Sequence, residues 1–341
     1  MSRSVLRIKG TLLLRQDRFS LQKAAGIIKE GGLVAFPTET VYGLGAAATD
    51  EKAVNRIYQA KGRPVDNPMI VHISSSGQLN IVARYVPEIA YKLTDRFWPG
   101  PLSLVLPRAD IIPAAVCAGL PTIAVRMPDH RIALEFIHAS GVPIAAPSAN
   151  RSGKPSPTSF RHVLDDLAGK IDAVIKSEAC SVGVESTVLD LTGSGPVILR
   201  PGGIPREELE EALGQKVPVS GGIGSAGRPI SPGMKYRHYS PRAPLILITG
   251  PKQRRSLLLK AIAGYYQEKG LKVGSLGDYI NKTAPLKGNK TEYMAAHLYH
   301  ALRQLDHHGV DLILAEETDI AGIGLAVMNR LRKAATRILK V

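Results

Sequence analysis

Short buried-strand patterns alternate with amphipathic helix patterns along most of the chain, and this alternation limits the fold more than any other feature. The apolar run 33–36 comes directly after a helical period in 21–28, which Ser20 is expected to cap and Gly31 to end. Alternation of this kind predicts an α/β domain with a mixed sheet. Further helices are predicted at 53–60, 87–97, 131–139, 160–167 and 206–213, and strands at 69–73, 102–106, 122–126, 143–146, 171–175, 186–190 and 197–200.

The alternation stops once, at 215–244, where Gly, Pro and Ser are frequent. A segment of this length without periodicity is usually functional or disordered, so we predict a linker there. Three strand-helix units follow in 245–341 and predict a small parallel sheet that is similar to half of a Rossmann fold. The predicted domains are therefore 1–214 and 245–341. The strands of the second are predicted at 245–249, 271–275 and 312–315, and its helices at 254–267, 291–305 and 322–338.

The net charge of the chain limits the kinds of molecule that it is expected to bind. The chain has 44 Lys and Arg against 29 Asp and Glu, a formal net charge of +15. Residues 241–341 hold 16 of these cations against eight acidic residues and are the more basic part by density. Such an excess favours an anionic small molecule, a nucleic acid, or both.

The two cysteines, Cys117 and Cys180, stand far apart and form no Cys-x-x-Cys pair. This spacing excludes a thiolate zinc site and a disulfide framework, and we predict two buried thiols. The chain also has no apolar segment of membrane-spanning length, and its first residues do not predict a cleavable leader. We therefore expect a cytoplasmic protein without a membrane partner.

A polar motif, 37–45, directly follows the predicted strand 33–36. Thr38 and Thr40 offer hydroxyl groups there, and Gly43 and Gly45 would let the backbone approach a ligand. A plain turn does not need so many polar groups, and loops after strands are where α/β sheets bind ligands. This motif therefore predicts part of a binding site.

Basic residues stand near other predicted strand ends. Lys61 and Arg63 lie on a segment that two prolines stiffen, which suits an anion with several oxygens. Arg126 ends an apolar strand, on the same side as Thr122, and a buried arginine there needs an anionic partner from the protein or a ligand. His72 lies within an apolar strand, where a lone histidine is more often a core residue than a catalyst.

Small and hydroxyl-bearing residues complete the pattern. Ala146 would let a ligand meet the backbone, while Ser148, Asn150 and Ser156 supply hydrogen-bonding groups. A P-loop and a nucleophile elbow are both missing from the sequence. The chemistry is therefore predicted to depend on positioning and charge stabilisation rather than on a covalent intermediate. Similar polar motifs occur at 183–187 and 199–203.

In order, these motifs resemble those of the YrdC-type domain. The linker sequence SPGMKYRHYSP, at 231–241, and the added C-terminal domain resemble the long form of that family, the threonylcarbamoyl-AMP synthases. The resemblance covers nearly the whole chain. It implies a twisted, mixed-sheet YrdC-like domain with a basic concave face, followed by a small Rossmann-like parallel domain.

The resemblance also implies a reaction. L-threonine, bicarbonate and ATP would give L-threonylcarbamoyl-adenylate and pyrophosphate, which makes the protein a nucleotidyltransferase. A separate tRNA threonylcarbamoyl transferase complex would use the product to make threonylcarbamoyladenosine in tRNA. Magnesium would arrive with the ATP phosphates, since the sequence offers no carboxylate cage.

Roles for individual residues follow from the same resemblance. Arg126 would pair with the threonine carboxylate, and Lys61 and Arg63 would act as the catalytic residues at the phosphates. His238, from the linker, would close over the nucleotide as part of a lid, so ending the chain before Gly221 should abolish product formation. The full threonine set is Thr40, His72, Arg126, Ala146 and Ser186, and the full ATP set is Arg63, Asn67, Thr122, Ser148, Ser156, Arg200 and His238.

Two other functions compete with this interpretation. An RNA-binding module would suit the basic charge, but only 5% of the residues are aromatic and no stacking motif is present. A carbamoyl-transfer enzyme related to hydrogenase maturation would need further modules, for which the chain has neither the cysteines nor the length. Weak RNA binding by the basic C-terminal part stays a hypothesis.

Overall fold

The structure is a computed structural model that describes residues 6–220, 239–283 and 289–341, without the side chains of 282 and 283. The chain divides into two compact units. The first unit comprises Met1–Ser152 and Ser156–Lys235, and the second comprises Gly153–Pro155 and Tyr236–Val341. Most of the predicted linker and its residue His238 lie outside the described residues, so the predicted lid stays a prediction.

Within its described residues, the first unit has eleven strands and seven α-helices. The strands are β1 (Arg7–Ile8), β2 (Thr11–Leu14), β3 (Val34–Phe36), β4 (Gly43–Ala47), β5 (Ile70–His72), β6 (Leu102–Pro107), β7 (Thr122–Arg126), β8 (Ile144–Ala146), β9 (Ala173–Ile175), β10 (Thr187–Asp190) and β11 (Val197–Arg200). The helices are α1 (Arg18–Lys29), α2 (Glu51–Lys61), α3 (Leu79–Val82), α4 (Glu88–Phe97), α5 (Arg131–Ser140), α6 (Phe160–Leu167) and α7 (Arg206–Leu213).

These strands form one mixed sheet in the order β1-β2-β9-β3-β4-β8-β5-β7-β6-β10-β11. β5 is parallel to β7, and β6 is parallel to β10. β8 is antiparallel to both β4 and β5, and β6 is antiparallel to β7. The predicted mixed sheet is therefore confirmed, and its order brings together strands that are distant in sequence.

The two faces of this sheet differ. Helices α1 and α5 contact each other and pack with Val34, Phe36 and Ile144 on one face. The alternating residues, such as Ala35 and Val71, belong to a larger core on the opposite face. On β5, β7, β6 and β10, the first face carries a smaller apolar cluster that includes Ile70, Val105, Ala124 and Val188.

The second unit is a four-stranded parallel sheet with helices, in the described part of the chain. Its strand order is β13-β14-β12-β15, and every pairing is parallel, as the sequence predicts. The strands are β12 (Leu245–Thr249), β13 (Val273–Ser275), β14 (Leu312–Glu316) and β15 (Arg337–Lys340), and the helices are α8 (Lys252–Glu268), α9 (Leu276–Thr283), α10 (Lys290–His307) and α11 (Gly324–Ala334).

Three sequence predictions about individual elements are wrong. Asp17, not Ser20, caps α1, because Asp17 Oδ1 accepts a hydrogen bond from Ser20 N at 2.9 Å. The last predicted helix ends at Ala334, and the residues after it form β15 beside β12. The motif 37–45 is not a loop throughout, because its last three residues begin β4. Strands β1 and β2 and helices α3 and α9 have no counterpart among the predicted elements.

Candidate functional site

The pairing of β5 with β7 places His72 directly opposite Arg126. Paired residues lie on the same face of a sheet, and both residues are buried. Ser103 on β6 and Arg200 on β11 lie on this face too, because each pairs with Val188 on β10. One face of five neighbouring strands therefore gathers polar side chains around the small apolar cluster.

Among the described residues, Arg126 has three partners, all from the first unit. Its Nη1 donates a hydrogen bond to Thr40 Oγ1 at 2.9 Å, and its Nε donates to the main-chain oxygen of Gly100 at 3.1 Å. Its Nη2 lies 2.5 Å from Glu39 Oε2, and both side chains are buried. The anionic partner that a buried arginine requires is thus a carboxylate of the chain itself.

The turn before β4 positions Thr40. Thr38 Oγ1 accepts hydrogen bonds from the main-chain N–H groups of Thr40 and Val41, each at 3.2 Å. It also donates to the oxygen of Val41 at 2.6 Å and lies 2.8 Å from Thr40 Oγ1. The first threonine of the motif therefore orders the turn, and the second presents its hydroxyl to Arg126.

Gly43 and Gly45 lie where the sheet packs closely against Phe36. A Cβ on Gly45 would come within 2.7 Å of Ile144 Cγ2 and 3.0 Å of the Phe36 ring. A Cβ on Gly43 would meet the same ring at 3.1 Å. These glycines leave room for Phe36, which contacts His72 edge-on at 5.7 Å between ring centres, and the expectation that they admit a ligand stays a prediction.

His72 is uncharged in this environment. Burial, and then the positive charge of Arg126, lower the pKa of His72 from its usual 6.5 to about 3. Its Nδ1 has no hydrogen-bond partner within the described residues. A neutral imidazole that faces a guanidinium can bind a polar ligand group without adding charge.

Ser186 joins two groups of predicted site residues. Its Oγ lies 2.8 Å from Ser103 Oγ. Arg200 Nη2 donates to Ser186 O at 2.9 Å and to Ser186 Oγ at 3.2 Å. A residue predicted to bind threonine therefore touches one predicted to bind ATP. Beside them, Ser156 Oγ donates to Glu185 Oε1 at 2.6 Å.

Lys61 and Arg63 organise the loops at the end of α2. Lys61 Nζ donates to the main-chain oxygens of Ser148 and Asn150, so the end of α2 is tied to the loop after β8. Arg63 donates from Nε to Asn67 O at 3.1 Å and from Nη2 to Pro68 O at 2.7 Å. Both cations are buried, and these contacts place them on polar main-chain oxygens.

The other predicted site residues lie on or near the same strands. Asn67 is buried, and its Oδ1 has no hydrogen-bond partner in the described part of the chain. Ala146 ends β8 opposite Ile70. Thr122 is half-buried at the start of β7, four residues before Arg126, which is about 13 Å along a strand. Ser148 Oγ donates to Asn150 Oδ1 at 2.5 Å.

Three polar residues of this region were not predicted as site residues. Glu39 and Glu185 each lie inside a polar motif identified from the sequence. An acidic residue inside such a motif is the sequence signal that could have predicted them as site residues. Ser103 is the one polar residue in the apolar run 102–106, a weaker signal. Its contact with Ser186 depends on the parallel pairing of β6 with β10.

The described residues also bear on metals, membranes and thiols. Among them, no group of three or more His, Cys, Asp or Glu is placed to hold a metal ion. No helix in the described ranges has the length and apolarity to cross a bilayer. Cys117 and Cys180 are both buried thiols, as predicted, and burial raises the pKa of each to about 12.

Comparison with known proteins identifies the family. Residues 26–202 match the Sua5, YciO and YrdC family, which is described as telomere recombination, and residues 204–336 match the threonylcarbamoyl-AMP synthase C-terminal domain. A threonylcarbamoyl-AMP synthase of Pyrococcus abyssi is 51% identical over 331 residues, which cover 96% of this chain and 97% of the relative. The chain belongs to the threonylcarbamoyl-AMP synthase family. It is therefore a nucleotidyltransferase, as the sequence predicts.

Other relatives agree with this family. The threonylcarbamoyl-AMP synthase of Bacillus subtilis is 48% identical over 327 residues, with 92% of each chain covered. The crystal structure of P. abyssi Sua5 complexed with L-threonine superposes with a TM-score of 0.90 at 49% identity, covering 96% of this chain and 98% of that one. E. coli YciO, at 24% identity and a TM-score of 0.51, shares the fold with 56% of this chain.

Proposed function

We propose that this member of the threonylcarbamoyl-AMP synthase family converts L-threonine, bicarbonate and ATP into L-threonylcarbamoyl-adenylate and pyrophosphate. The threonine amine and bicarbonate form an N-carboxylate with loss of water. An oxygen of that carboxylate then attacks the α-phosphorus of ATP, and pyrophosphate leaves. This sequence requires alignment and charge neutralisation but no side-chain nucleophile.

The observation that carries the proposal is the contact of Arg200 with Ser186 on the face that also holds Arg126. An attack on the α-phosphorus requires that the amino acid and the nucleotide bind side by side. The residues predicted for the two substrates are in direct contact here. A structural match to a relative in complex with L-threonine supports threonine as a substrate.

Threonine would bind on Arg126, with its carboxylate on the guanidinium and its hydroxyl or amine near Thr40, His72 and Ser186. Glu39 holds a carboxylate 2.5 Å from Arg126 Nη2, so the pair offers both charges to a zwitterion. The amine must lose a proton before it can attack carbon. Glu39 would accept that proton. Ala146, a small buried residue at the end of β8, would leave room for the ligand.

ATP would bind along the cations at the edge of this face. Arg63 and Lys61 would neutralise phosphate oxygens after leaving their present main-chain partners, and Arg200 would remain beside the reacting carboxylate. Magnesium would be bound by the phosphates and would supply further charge neutralisation there. The chain's carboxylates nearby fit this role poorly as direct ligands, because Glu39 pairs with Arg126 and Glu185 accepts from Ser156. The remaining nucleotide contacts would come from Asn67, Thr122, Ser148, Ser156 and His238.

The proposal extends to the use of the product. A separate tRNA threonylcarbamoyl transferase complex in the cytoplasm would consume the adenylate. The anhydride between a carbamate and a phosphate hydrolyses readily, so a transferase must take it soon after release. Direct RNA contact by this chain is a weaker proposal that rests on the basic residues of 241–341.

Pyrophosphate release tests the proposal when each substrate is omitted in turn. Release from ATP should require both threonine and bicarbonate. Release without threonine would point to carbamoyl transfer instead, and the absence of release with all substrates present would refute the synthase reaction.

A further inference from the structure

The second unit contains a cavity of about 300 Å³ that the proposed reaction does not use. It lies where β12, β13 and β14 end, because its lining includes Ser275 at the end of β13 and Glu316 at the end of β14. The first turns of α8, which follow β12, form another wall. All three strands are parallel, so their carboxyl ends meet at this edge.

The topology favours a binding site at this edge. The chain moves from β12 to β13 in one direction across β14, and then returns from β13 to β14. Right-handed connections in opposite directions place their helices on opposite faces of the sheet, which leaves a crevice at the carboxyl ends of the strands. Open α/β sheets bind ligands in such crevices.

Four cations line the cavity together with three carboxylates, those of Asp278, Glu316 and Glu317. Lys252, Arg255, Lys260 and Lys290 line it, and the three lysines have no ion-pair partner in the part of the chain that the structure describes. Arg255 lies 3.8 Å from Glu317 and 3.9 Å from Glu316, and its buried Nε has no hydrogen-bond partner among the described residues. An anionic ligand would balance this charge.

The residues at the start of α8 also favour a negatively charged ligand. The helix has no acidic residue in its first turn and no side-chain cap on its N-terminal N–H groups. Lys252 and Arg255 stand there instead, next to the positive end of the helix dipole, where cations are unfavourable. Glu316 and Glu317 offset the charge of Arg255, and an anion bound in the cavity would offset that of Lys252.

The lining of the cavity also offers acceptors and apolar side chains. Glu316 accepts a hydrogen bond from Ser256 at 3.2 Å, and Glu317 accepts one from Gly250 N at 2.9 Å. Each carboxylate has a second oxygen that can accept from a hydroxyl or amino group of a ligand. Leu259 and Leu276 also line the cavity.

We propose that this cavity binds a phosphorylated, hydroxyl-bearing small molecule, a sugar phosphate or a mononucleotide. The phosphate would lie on Lys252, Arg255 and the start of α8, and hydroxyl groups would donate to Glu316 and Glu317. The volume of about 300 Å³ is at the small end of the usual range for ligand pockets, about 300–1,000 Å³. A ligand of mononucleotide size or smaller fits this volume.

Calorimetric titration of the full chain tests the proposal with ribose 5-phosphate, uridine 5′-monophosphate, inorganic phosphate and ribose. Ribose 5-phosphate or the mononucleotide should bind, and both should bind more tightly than phosphate or ribose alone. If ribose 5-phosphate binds more tightly, the ligand class is a sugar phosphate. If uridine 5′-monophosphate binds more tightly, the ligand class is a mononucleotide. No binding of either at about 10 mM would overturn the proposal, because a Kd above that level leaves no useful affinity.

Variants locate the binding. Lys252→Gln and Arg255→Gln should each weaken it about tenfold or more, the effect of losing one hydrogen bond to a charged group. Lys269→Gln, which removes the same charge from an exposed residue outside the cavity lining, should leave the Kd unchanged. Arg63→Gln in the first unit should also leave it unchanged. Binding that is lost in Arg63→Gln but kept in Lys252→Gln would place the ligand elsewhere and overturn the proposal.

Discussion

Substitution of Arg126 tests how the site recognises threonine. The guanidinium donates to Thr40 and Gly100 and lies 2.5 Å from Glu39, so the fold holds it in one position. A hydrogen bond to a charged group contributes about 1.5–3 kcal/mol, which equals about 10- to 150-fold in affinity. Arg126→Gln should therefore raise the KM for threonine by that factor and change the KM for ATP by less than about threefold.

The same substitution should also destabilise the protein, and a second variant separates the two effects. Arg126→Gln leaves Glu39 buried without its cationic partner, which costs about 3–5 kcal/mol of the free energy of unfolding. The double variant Glu39→Gln with Arg126→Gln removes both charges and should recover most of this loss. It should keep the defect in threonine KM, because the cation that meets the carboxylate is still missing.

The assays are urea unfolding for stability and pyrophosphate release at varied threonine and ATP for the two KM values. An equal increase in both KM values in Arg126→Gln would refute the assignment of this residue to threonine. A double variant that regains the original threonine KM would also refute it, because the single defect would then result from misfolding.

Three other predictions concern stability. Because the folded His72 has a pKa of about 3, only the unfolded state takes up this proton as the pH falls below about 6.5; stability should drop by about 2 kcal/mol between pH 7 and 5, and His72→Gln should remove that drop in urea titrations. Gly45→Ala should cost about 1–3 kcal/mol, because its Cβ would meet side-chain atoms at 2.7 and 3.0 Å. A Cβ added at Gly26 in α1 would meet no other atom, so Gly26→Ala should instead stabilise the protein by about 0.5–1 kcal/mol. Equal shifts of the melting temperature in Gly45→Ala and Gly26→Ala would contradict the packing role of Gly45. Tyr239 stacks on Tyr299 at 5.4 Å between ring centres, so Tyr239→Ala should lower the free energy of unfolding by about 3–5 kcal/mol and Tyr239→Phe by about 1 kcal/mol or less, as measured by thermal unfolding. Similar losses in the two variants would exclude the stack as the cause.

The sequence predicts elements best where their ends carry local signals. The helix at 160–167 and the strand at 122–126 have the predicted bounds. Ser159 caps the first by accepting a hydrogen bond from His162 N, and an apolar run bounded by Pro121 and Pro128 defines the second. Strand β15 was missed, because a short apolar segment after a helix continues the helical period, and only its pairing with β12 makes it a strand.

The residues of the candidate site could likewise be predicted only where the signal is local. Polar motifs at strand ends can be recognised locally, so residues such as Thr40 and Arg126 could be named from the sequence. Their partners depend on strand order: Arg126 meets Glu39 across 87 positions of the chain, and Ser186 meets Ser103 because β6 pairs with β10. Contacts of this kind follow from the sheet topology, which the sequence pattern alone does not determine.

Incorporation of labelled bicarbonate tests the central claim most directly. Incubation of the chain with isotopically labelled bicarbonate, threonine and ATP should yield a labelled adenylate, separable by chromatography, in an amount equal to the pyrophosphate released. The label should be absent when threonine is omitted. Pyrophosphate release without labelled adenylate, under conditions in which the adenylate is stable, would contradict the proposed reaction.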